Sequence, residues 1–177
     1  MDTYYLQAPL SAEDIARLKS GDMVYLSGHI YTARDAAHKK LIQCLENGEA
    51  LPFLIQGETL YYVGPCPPKP GEVIGSAGPT TSGRMDAYTP QLLSAGLKAM
   101  IGKGERNKAV IEGIVANQCV YFAAIGGAGA LIKNAIEKSQ LVAFEELGTE
   151  AIRKLEIKDM PLIVAIDSQG NNLYQRG

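Results

Sequence analysis

The chain has few cysteines and no tryptophan. Its 177 residues include three cysteines, Cys44, Cys66 and Cys119, at wide spacing and without a C-x-x-C pair. An odd number of cysteines in this arrangement does not predict a disulfide framework, so we expect a reducing, cytoplasmic environment. The first residues, Met1–Tyr5, contain neither a basic region nor an apolar segment, so a secretory signal is not expected.

The sequence also lacks long runs of one charge and long apolar runs. Seventeen Lys and Arg residues stand against nineteen Asp and Glu residues, which gives a net charge of -2. Without a basic run, nucleic-acid binding is not expected. A hydrophobic fraction of 46% and a mean hydropathy of -0.02 are typical of a soluble globular protein and do not predict a membrane span. A chain of this length buries about 70% of its unfolded surface, so we expect one domain over residues 1–177.

A proline-rich segment separates two parts of the sequence that differ in their pattern of predicted strands and helices. Residues 64–71 contain four of the nine prolines and predict an irregular connector. After the connector, apolar strand candidates alternate three times with helix candidates. This alternation predicts an α/β fold with a mainly parallel sheet.

Local signals predict several individual elements. Ser11 begins a helix that ends by Gly21, and Thr32 with Asp35 predicts the capped start of a helix that runs to about residue 48. Residues 51–63 predict a hairpin. Thr89-Pro90 predicts the start of another helix, and the turn at 126–129 precedes a helix that runs to about Lys138. The remaining strand candidates are 23–26, 98–101, 119–124, 141–143, 151–157 and 162–166.

Three glycine-rich turns follow strand candidates. They cover Gly78–Gly83, Gly102–Gly104 and Gly126–Gly129. Ligands of parallel α/β sheets bind at the carboxyl ends of the strands, where backbone N–H groups and helix N-termini favour anions. The turns therefore predict a small anionic ligand. The alternative is that glycine here only permits tight strand-to-helix turns.

Two of these turns resemble nucleotide-binding motifs and fail to match them. In Gly78-Pro-Thr-Thr-Ser-Gly-Arg-Met85, Arg84 replaces the phosphate-binding lysine and Met85 replaces the metal-binding hydroxyl. Gly127-x-Gly129 begins a dinucleotide fingerprint, but Ile132 occupies the position of the third glycine. Nucleotide binding is therefore disfavoured.

Cations and hydroxyls accompany the turns. Thr80 and Thr81 precede Arg84, whose planar guanidinium suits a carboxylate, and Lys103 lies between two glycines. Arg34 falls in the first turn of a predicted helix, where the helix dipole disfavours a cation. Together these side chains suit a dicarboxylate. The alternatives are that Arg34 pairs with a surface acid such as its neighbour Asp35, and that Lys103 is a solvated loop lysine.

Several motifs together resemble one enzyme family. They are Ser27-Gly-His-Ile-Tyr-Thr-Ala-Arg-Asp-Ala-Ala-His38, Gly78-Pro-Thr-Thr-Ser-Gly-Arg-Met-Asp86, Ile101-Gly-Lys-Gly104, Gly126-Gly-Ala-Gly-Ala-Leu131, Glu146-Leu-Gly148 and Ile166-Asp-Ser-Gln-Gly-Asn171. In this order they resemble the iron–sulfur hydro-lyases, specifically the C-terminal domain or β subunit of class I fumarase and tartrate dehydratase. The resemblance spans nearly the whole chain. It implies a swivelling β/β/α domain, with a second, antiparallel sheet beside the mainly parallel central sheet.

The resemblance also implies a site and a reaction. It places Arg34, Thr81 and Arg84 around the substrate carboxylates. Lys103 lies with them and is implied to be catalytic, together with Thr80 as the base. The reaction would be the reversible hydration of a C4 dicarboxylate, fumarate to malate, in the tricarboxylic acid cycle. In such enzymes an open iron acts as a Lewis acid on the departing hydroxyl, and a base takes the proton from the neighbouring carbon. The motifs around Arg34 and Arg84 favour fumarate over tartrate.

The implied cofactor is a [4Fe–4S] cluster that belongs to a separate α subunit. The three cysteines of this chain fall in a predicted helix, in the connector and in a predicted strand, so no metal site is expected here. The implied assembly is an α2β2 heterotetramer whose active site is completed at the subunit interface. Two alternatives from other classes are a non-catalytic anion- or nucleotide-binding module and a scaffold subunit that has lost the site. The retained cations and threonines disfavour the scaffold.

Overall fold

The computed structural model describes residues 1–125 and 129–175. The strands are β1 (Thr3–Ala8), β2 (Met23–Thr32), β3 (Thr59–Tyr61), β4 (Ala99–Gly102), β5 (Val120–Ala124), β6 (Ile136–Ala143) and β7 (Ile152–Ile166). The helices are α1 (Ala12–Arg17), α2 (Asp35–Glu46), α3 (Thr89–Ser94), α4 (Lys108–Asn117) and α5 (Gly129–Asn134), with short 3-10 helices at Ser82–Met85, Glu145–Glu150 and Leu173–Gln175. None of the helices in these ranges has the length and apolar character needed to cross a membrane.

The strands form one mixed sheet that closes on itself. β2, β3, β4 and β5 pair in parallel, and β7 pairs antiparallel with both β5 and β2, which closes a barrel-like ring of five strands. β1 adds to β2 in parallel, and β6 adds to β7 antiparallel. Since β7 supplies both closing contacts, the ring depends on the last long strand of the chain.

Two apolar clusters lie on opposite faces of the parallel strands. One contains Phe122 of β5 and Leu26 of β2, and the other contains the neighbouring Tyr121 together with Leu41 of α2 and Leu92 of α3. Successive side chains of a strand point to opposite faces, so burial on both faces requires the nearly continuous apolar runs seen in β4 and β5. The second cluster packs helices α2 and α3 against this face of the sheet.

The α/β class is confirmed, but the sheet is mixed rather than mainly parallel, because β7 pairs antiparallel with three strands. Several further details differ from the sequence-based predictions. The hairpin over 51–63 is wrong: only β3 forms, and it pairs in parallel with β2 and β4. The ring of Phe53 stacks on Tyr31 with ring centres 4.2 Å apart, so this apolar run packs through side chains rather than backbone pairing. The expected strands 151–157 and 162–166 are one strand, β7, which passes through Asp159 at a φ of 48°.

Two further differences concern a helix boundary and the second sheet. The helix expected to reach Lys138 ends at Asn134, because β6 begins at Ile136 and pairs with β7. The antiparallel strands are not a separate second sheet within the described ranges, because β7 hydrogen-bonds directly to the parallel strands β2 and β5.

Thr32 does not cap a helix. It is the last residue of β2 and is fully buried; its Oγ1 accepts a hydrogen bond from the backbone N–H of Arg153 at 3.0 Å. Helix α2 starts two residues later than this prediction implied, with Arg34 in the N-cap position and without a side-chain cap from that residue. Arg34 is therefore an extended-backbone residue two positions beyond β2 rather than a residue of the first helical turn. Likewise, α3 begins at Thr89 after Tyr88 as N-cap, and Thr89 Oγ1 donates to the Met85 carbonyl.

Candidate active site

The five predicted site residues lie around the carboxyl ends of three adjacent parallel strands. Arg34 lies two residues beyond β2, and Lys103 directly follows β4. The backbone N–H of Thr80 donates to the carbonyl of Tyr62, one residue after β3, at 2.7 Å. Because β3 lies between β2 and β4, the sheet brings these segments together at one edge.

The threonine loop is fastened to the end of β4 like an additional short strand. Thr81 forms a parallel bridge with Lys103, and the backbone N–H of Ser82 donates to the carbonyl of Lys103 at 2.8 Å. Thr80 is half-buried, whereas the side chains of Thr81 and Lys103 are exposed. The two threonines and the lysine therefore form one accessible group.

Asp35 lies close to both arginines of the site. Arg84 Nε donates to Asp35 Oδ2 at 3.1 Å, while Arg34 Nε lies 4.0 Å from Asp35 Oδ1, which is too long for a hydrogen bond. Within the described ranges, Arg34 Nε and Asp35 Oδ1 are both buried without a hydrogen-bond partner. The predicted Arg34–Asp35 surface pair is thus only a loose ion pair. Arg34 keeps donor capacity for a ligand.

Gly64 provides the space that Arg34 occupies. A Cβ at position 64 would lie 2.9 Å from Arg34 Cδ and 3.2 Å from the carbonyl oxygen of Thr149. Any side chain here would push against both the arginine and a fixed backbone. This glycine, at the start of the proline-rich connector, is therefore part of the site.

Helix N-termini contribute less to the site than the sequence predicted. At α2, the N–H of Ala36 donates to Glu150 Oε1 at 3.1 Å, and at α4 the N–H of Val110 donates to its N-cap Asn107 Oδ1 at 2.9 Å. At each of these starts, one N–H group is bonded by the protein's own side chain. The full positive charges at this edge are those of the three predicted cations. The third glycine-rich turn falls largely on residues 126–128, outside the described residues.

A buried arginine behind the loop was missed by the sequence analysis. Arg106 Nε donates to Asp86 Oδ1 at 2.7 Å, and its Nη2 donates to Thr89 Oγ1 at 2.9 Å. Its guanidinium lies over the rings of Tyr62 and Tyr121 at 5.2 and 4.8 Å from their centres. Arg106 is 6% exposed, so the pair is shielded from water. It anchors the segment that carries Thr80, Thr81 and Arg84.

Asp86 extends the same anchor to helix α4. Its second oxygen, Oδ2, accepts from the backbone N–H of Asn107 at 2.8 Å. Asp86 stands inside a motif that the sequence analysis used, but nothing in its local pattern distinguishes a buried ion-pair partner from a surface acid. Tyr174 was likewise missed: its hydroxyl accepts from the N–H of Gly104 at 3.1 Å and covers the lysine turn.

Ser82 and Tyr121 lock the threonine loop from below. The Tyr121 hydroxyl donates to the carbonyl of Gly104 at 2.7 Å and lies 2.7 Å from Ser82 Oγ. Burial raises the pKa of Tyr121, so this hydroxyl keeps its proton. Ser82 Oγ fits only because position 102 has no side chain: a Cβ there would lie 2.0 Å from Ser82 Oγ and 2.8 Å from Tyr62 Cδ2.

Replacing Gly102 by alanine is expected to destabilise the fold by about 1–3 kcal/mol, because the new methyl group overlaps two buried side chains that cannot move freely. Urea unfolding of the full chain measures this. Gly83→Ala is the matched control, because its Cβ would lie 3.8 Å from the nearest atom, an ordinary contact, and its cost should stay within roughly 0.5 kcal/mol. Equal stability of the two variants would contradict the overlap.

His38 is a buried neutral histidine behind Arg34. Its Nδ1 lies 2.8 Å from the Arg34 carbonyl oxygen, so this nitrogen carries the proton, and its ring contacts Tyr62 edge-on at 5.4 Å between ring centres. Burial lowers the pKa of His38 to about 4, an effect that the nearby Arg106 charge reinforces and the hydrogen bond to Arg34 opposes. His38 therefore positions the Arg34 backbone rather than carrying charge.

The free energy of unfolding is expected to fall by about 3 kcal/mol between pH 6.5 and 4 through His38 alone. In the unfolded chain His38 regains its ordinary pKa of 6.5 and binds a proton in this window, while the folded form does not. His38→Asn keeps an N–H donor for the Arg34 carbonyl and removes the titration. Urea unfolding across this pH range should therefore show a steeper loss for the wild type than for the variant; parallel curves would contradict the assignment.

The cysteines of this chain do not fit an iron–sulfur cluster. Cys44 lies in α2 and Cys66 is exposed on the connector, whereas the buried Cys119 Sγ donates to the carbonyl of Leu97 at 3.3 Å. Burial raises the pKa of Cys119 to about 11, which disfavours the thiolate that a metal requires. In the part of the chain that the structure describes, no three His, Cys, Asp or Glu side chains group as metal ligands.

The fold and the candidate site together define an α/β domain that presents cations and hydroxyls at the carboxyl edge of parallel strands. The chain belongs to the Fumarase C-terminus family, whose sequence model matches residues 2–177. This finding confirms the resemblance that the motifs indicated.

Named relatives fall into two groups. The chain is 41% identical to a protein of Methanocaldococcus jannaschii provisionally named L(+)-tartrate dehydratase subunit beta, over 94% of this chain and 88% of that protein. It is 40% identical to the aerobic class I fumarate hydratase of Escherichia coli K12, over 85% of this chain and 28% of that enzyme. Fumarate hydratase 2 of Leishmania major is 36% identical over 93% of this chain and 29% of the enzyme. The chain thus spans under a third of the length of these two fumarate hydratases.

Proposed function

We propose that this chain is the β subunit of a hydro-lyase that reversibly hydrates a C4 dicarboxylate, fumarate to malate. The observation that carries the proposal is the convergence of Arg34, Arg84 and Lys103 with two threonines at one strand edge. The related fumarate hydratases and tartrate dehydratase subunit support the same reaction class.

The cations divide the work of binding the two carboxylates. Arg84 uses its Nε for Asp35, which leaves the terminal nitrogens of its exposed guanidinium for a ligand. Arg34 lies on the other side of Asp35 with an unpartnered Nε. Lys103, beside Thr81, supplies the third positive charge. Forked guanidiniums and an ammonium suit the two ends of a dicarboxylate.

In this proposal Thr80 is the proton acceptor and Lys103 assists it. In the direction of dehydration, Thr80 takes the proton from the carbon next to the hydroxyl-bearing carbon, the C–H electron pair forms the new double bond, and the hydroxyl leaves with the C–O electron pair. The threonine hydroxyl must first lose its own proton to solvent water, and the cations beside it favour the ionised form. The loop anchors at Tyr62 and Lys103 fix the backbone of this segment, so its hydroxyls are held in place.

The [4Fe–4S] cluster that the family resemblance implies is assigned, in the same proposal, to a separate α subunit. The poor fit of this chain's cysteines supports that assignment. The exposed side chains of Thr81, Arg84 and Lys103 are available for an interface with that subunit. An α2β2 assembly in the cytoplasm, with this chain as its swivelling domain, completes the proposal.

The substrate has one specific alternative. The relative named as a tartrate dehydratase subunit is matched over 88% of its length, so its chain has nearly the same extent as this one. Tartrate carries a second hydroxyl group, and an enzyme that selects it needs a polar contact for that group. L-tartrate is therefore the second candidate substrate.

The test is co-expression of this chain with a candidate α subunit and anaerobic purification of the complex, with the lone chain purified in parallel. Malate, fumarate and tartrate are assayed separately. We expect the pair to show cluster absorbance and hydro-lyase activity and the lone chain to be colourless and inactive. A cluster or activity in the lone chain contradicts the subunit proposal, and turnover of tartrate alone selects the second candidate.

A further inference from the structure

A small cavity lies between the proline-rich connector and the strands β6 and β7. It has a volume of about 150 Å³, and its lining includes Cys66, Ile74, Ser139 and Arg153. None of these residues belongs to the candidate active site. Two larger cavities nearby are lined by Glu137 and Glu156, whereas the lining of this one contains a cation and no acidic side chain.

Arg153 differs from the other arginines. Among the five arginines in residues 1–125 and 129–175, four lie within 4.0 Å of a carboxylate oxygen, at Asp14, Asp35 or Asp86. No carboxylate of the described residues lies within this distance of the Arg153 guanidinium, although the residue is half-buried. An arginine that is partly removed from water and lacks an acidic partner is suited to bind an anion.

Ser139 supplies a second polar group on the same face. In the β6–β7 ladder, Leu141 pairs with Arg153 and Ser139 pairs with Leu155, so Ser139 and Arg153 are diagonal neighbours on one side of the sheet. Ser139 Oγ is buried and has no hydrogen-bond partner in the described part of the chain. A buried hydroxyl without a partner is costly unless a ligand or water satisfies it.

The proline-rich connector lines the same cavity as Arg153 and Ser139, and hydrogen bonds fix its backbone. The backbone N–H of Cys66 donates to the carbonyl of Ser76 at 2.9 Å, and the Cys66 carbonyl accepts from the N–H of Gly75 at 3.0 Å. The prolines beside Cys66 carry no N–H. The connector therefore lines the cavity without backbone donors, and the guanidinium and hydroxyl groups in the lining are those of Arg153, Ser139 and Thr149.

We propose that this cavity binds a small oxyanion through the guanidinium of Arg153 and the hydroxyl of Ser139. Its volume suits inorganic phosphate or a short carboxylate and is too small for a nucleotide. Phosphate and a carboxylate both carry negatively charged oxygens, which can accept hydrogen bonds from Arg153 and from Ser139. The proposal does not depend on the hydro-lyase activity.

The exposed thiol of Cys66 reports occupancy directly, because it lines the same cavity. The full chain is treated with iodoacetamide in phosphate, in acetate or in chloride at equal ionic strength, and alkylation of each cysteine is followed by mass spectrometry. We expect an oxyanion at tens of millimolar to slow alkylation of Cys66 relative to chloride. Cys44, on helix α2, is the internal reference for general salt effects.

Arg153→Met is expected to raise the anion concentration needed to protect Cys66 roughly tenfold, because a charge-assisted hydrogen bond is lost. Arg17→Met, which removes an exposed arginine of the same charge elsewhere, should leave protection unchanged. Ser139→Ala should weaken protection to a smaller extent and serves as a second variant if Arg153→Met does not fold. Protection by phosphate but not acetate, or the reverse, identifies the ligand. The proposal is overturned if the Arg153→Met and Ser139→Ala variants are both protected as well as the wild type. It is also overturned if neither anion protects the wild type.

Discussion

Replacement of Thr80 by valine is expected to lower kcat of the assembled enzyme about 100- to 10,000-fold, the range in which positioned bases contribute. Valine has nearly the same shape and keeps the backbone N–H that donates to the Tyr62 carbonyl, so the loop should stay in place. Only the hydroxyl is removed. Steady-state kinetics on the complex with the α subunit, in both reaction directions, give kcat and KM.

Two further variants separate a base from a structural hydroxyl. Thr80→Ser keeps the hydroxyl and should keep most of the activity. Thr81→Val removes the neighbouring, exposed hydroxyl and should raise KM more than it lowers kcat, because Thr81 is assigned to binding. Full activity of Thr80→Val would refute the base role. An equal loss in Thr80→Ser would show that the position is needed for packing instead.

Replacement of Arg106 by methionine is expected to cost about 3–5 kcal/mol of stability, because it leaves the Asp86 carboxylate without its partner in a buried position. Tyr62 and Thr89 also lose hydrogen bonds from the guanidinium. Urea unfolding of the full chain measures the loss. Since the pair anchors the Thr80–Arg84 segment, weaker substrate binding by the folded fraction should accompany it.

The control for this variant is an exposed ion pair of the same kind. Arg17 lies 2.7 Å from Asp14 and its side chain is 53% exposed, so Arg17→Met should cost at most about 1 kcal/mol. The double variant Arg106→Met with Asp86→Asn should be less destabilised than the sum of the single variants, because the unpaired charge is gone. Strict additivity would contradict a coupled pair.

Local patterns predicted several parts of the fold correctly. Ser11 caps α1 by accepting from the N–H of Asp14, and α3 begins at the predicted Thr89-Pro90. Such signals depend on side chains that act within a few residues, so they can be recognised in a sequence. At Thr32, long-range pairing overrides the local pattern. Its sequence context fits an N-cap, but pairing of β2 with β7 extends the strand, and the hydroxyl accepts a hydrogen bond from the backbone N–H of Arg153.

The candidate site was predictable to the same extent. Turns after parallel strands meet at one edge in any such sheet, so Arg34, Thr80 and Lys103 were expected together. The anchors behind them were not, because Asp86 and Arg106 are 20 residues apart and meet only when two loops pack. The burial of His38 and the space beside Gly64 also depend on elements distant in the chain.

The sequence by itself determined the alternation of strands and helices, the glycine-rich turns and the surplus of cations beside them, since these depend on neighbouring residues. Only the tertiary structure decided how the sheet closes. β7 pairs with β2, β5 and β6, and these pairings depend on burial and on backbone hydrogen bonds between residues far apart in the sequence. The same long-range packing decided which charges are buried. It placed Arg106 against Asp86 and left Arg153 in its cavity without an acidic neighbour among the described residues.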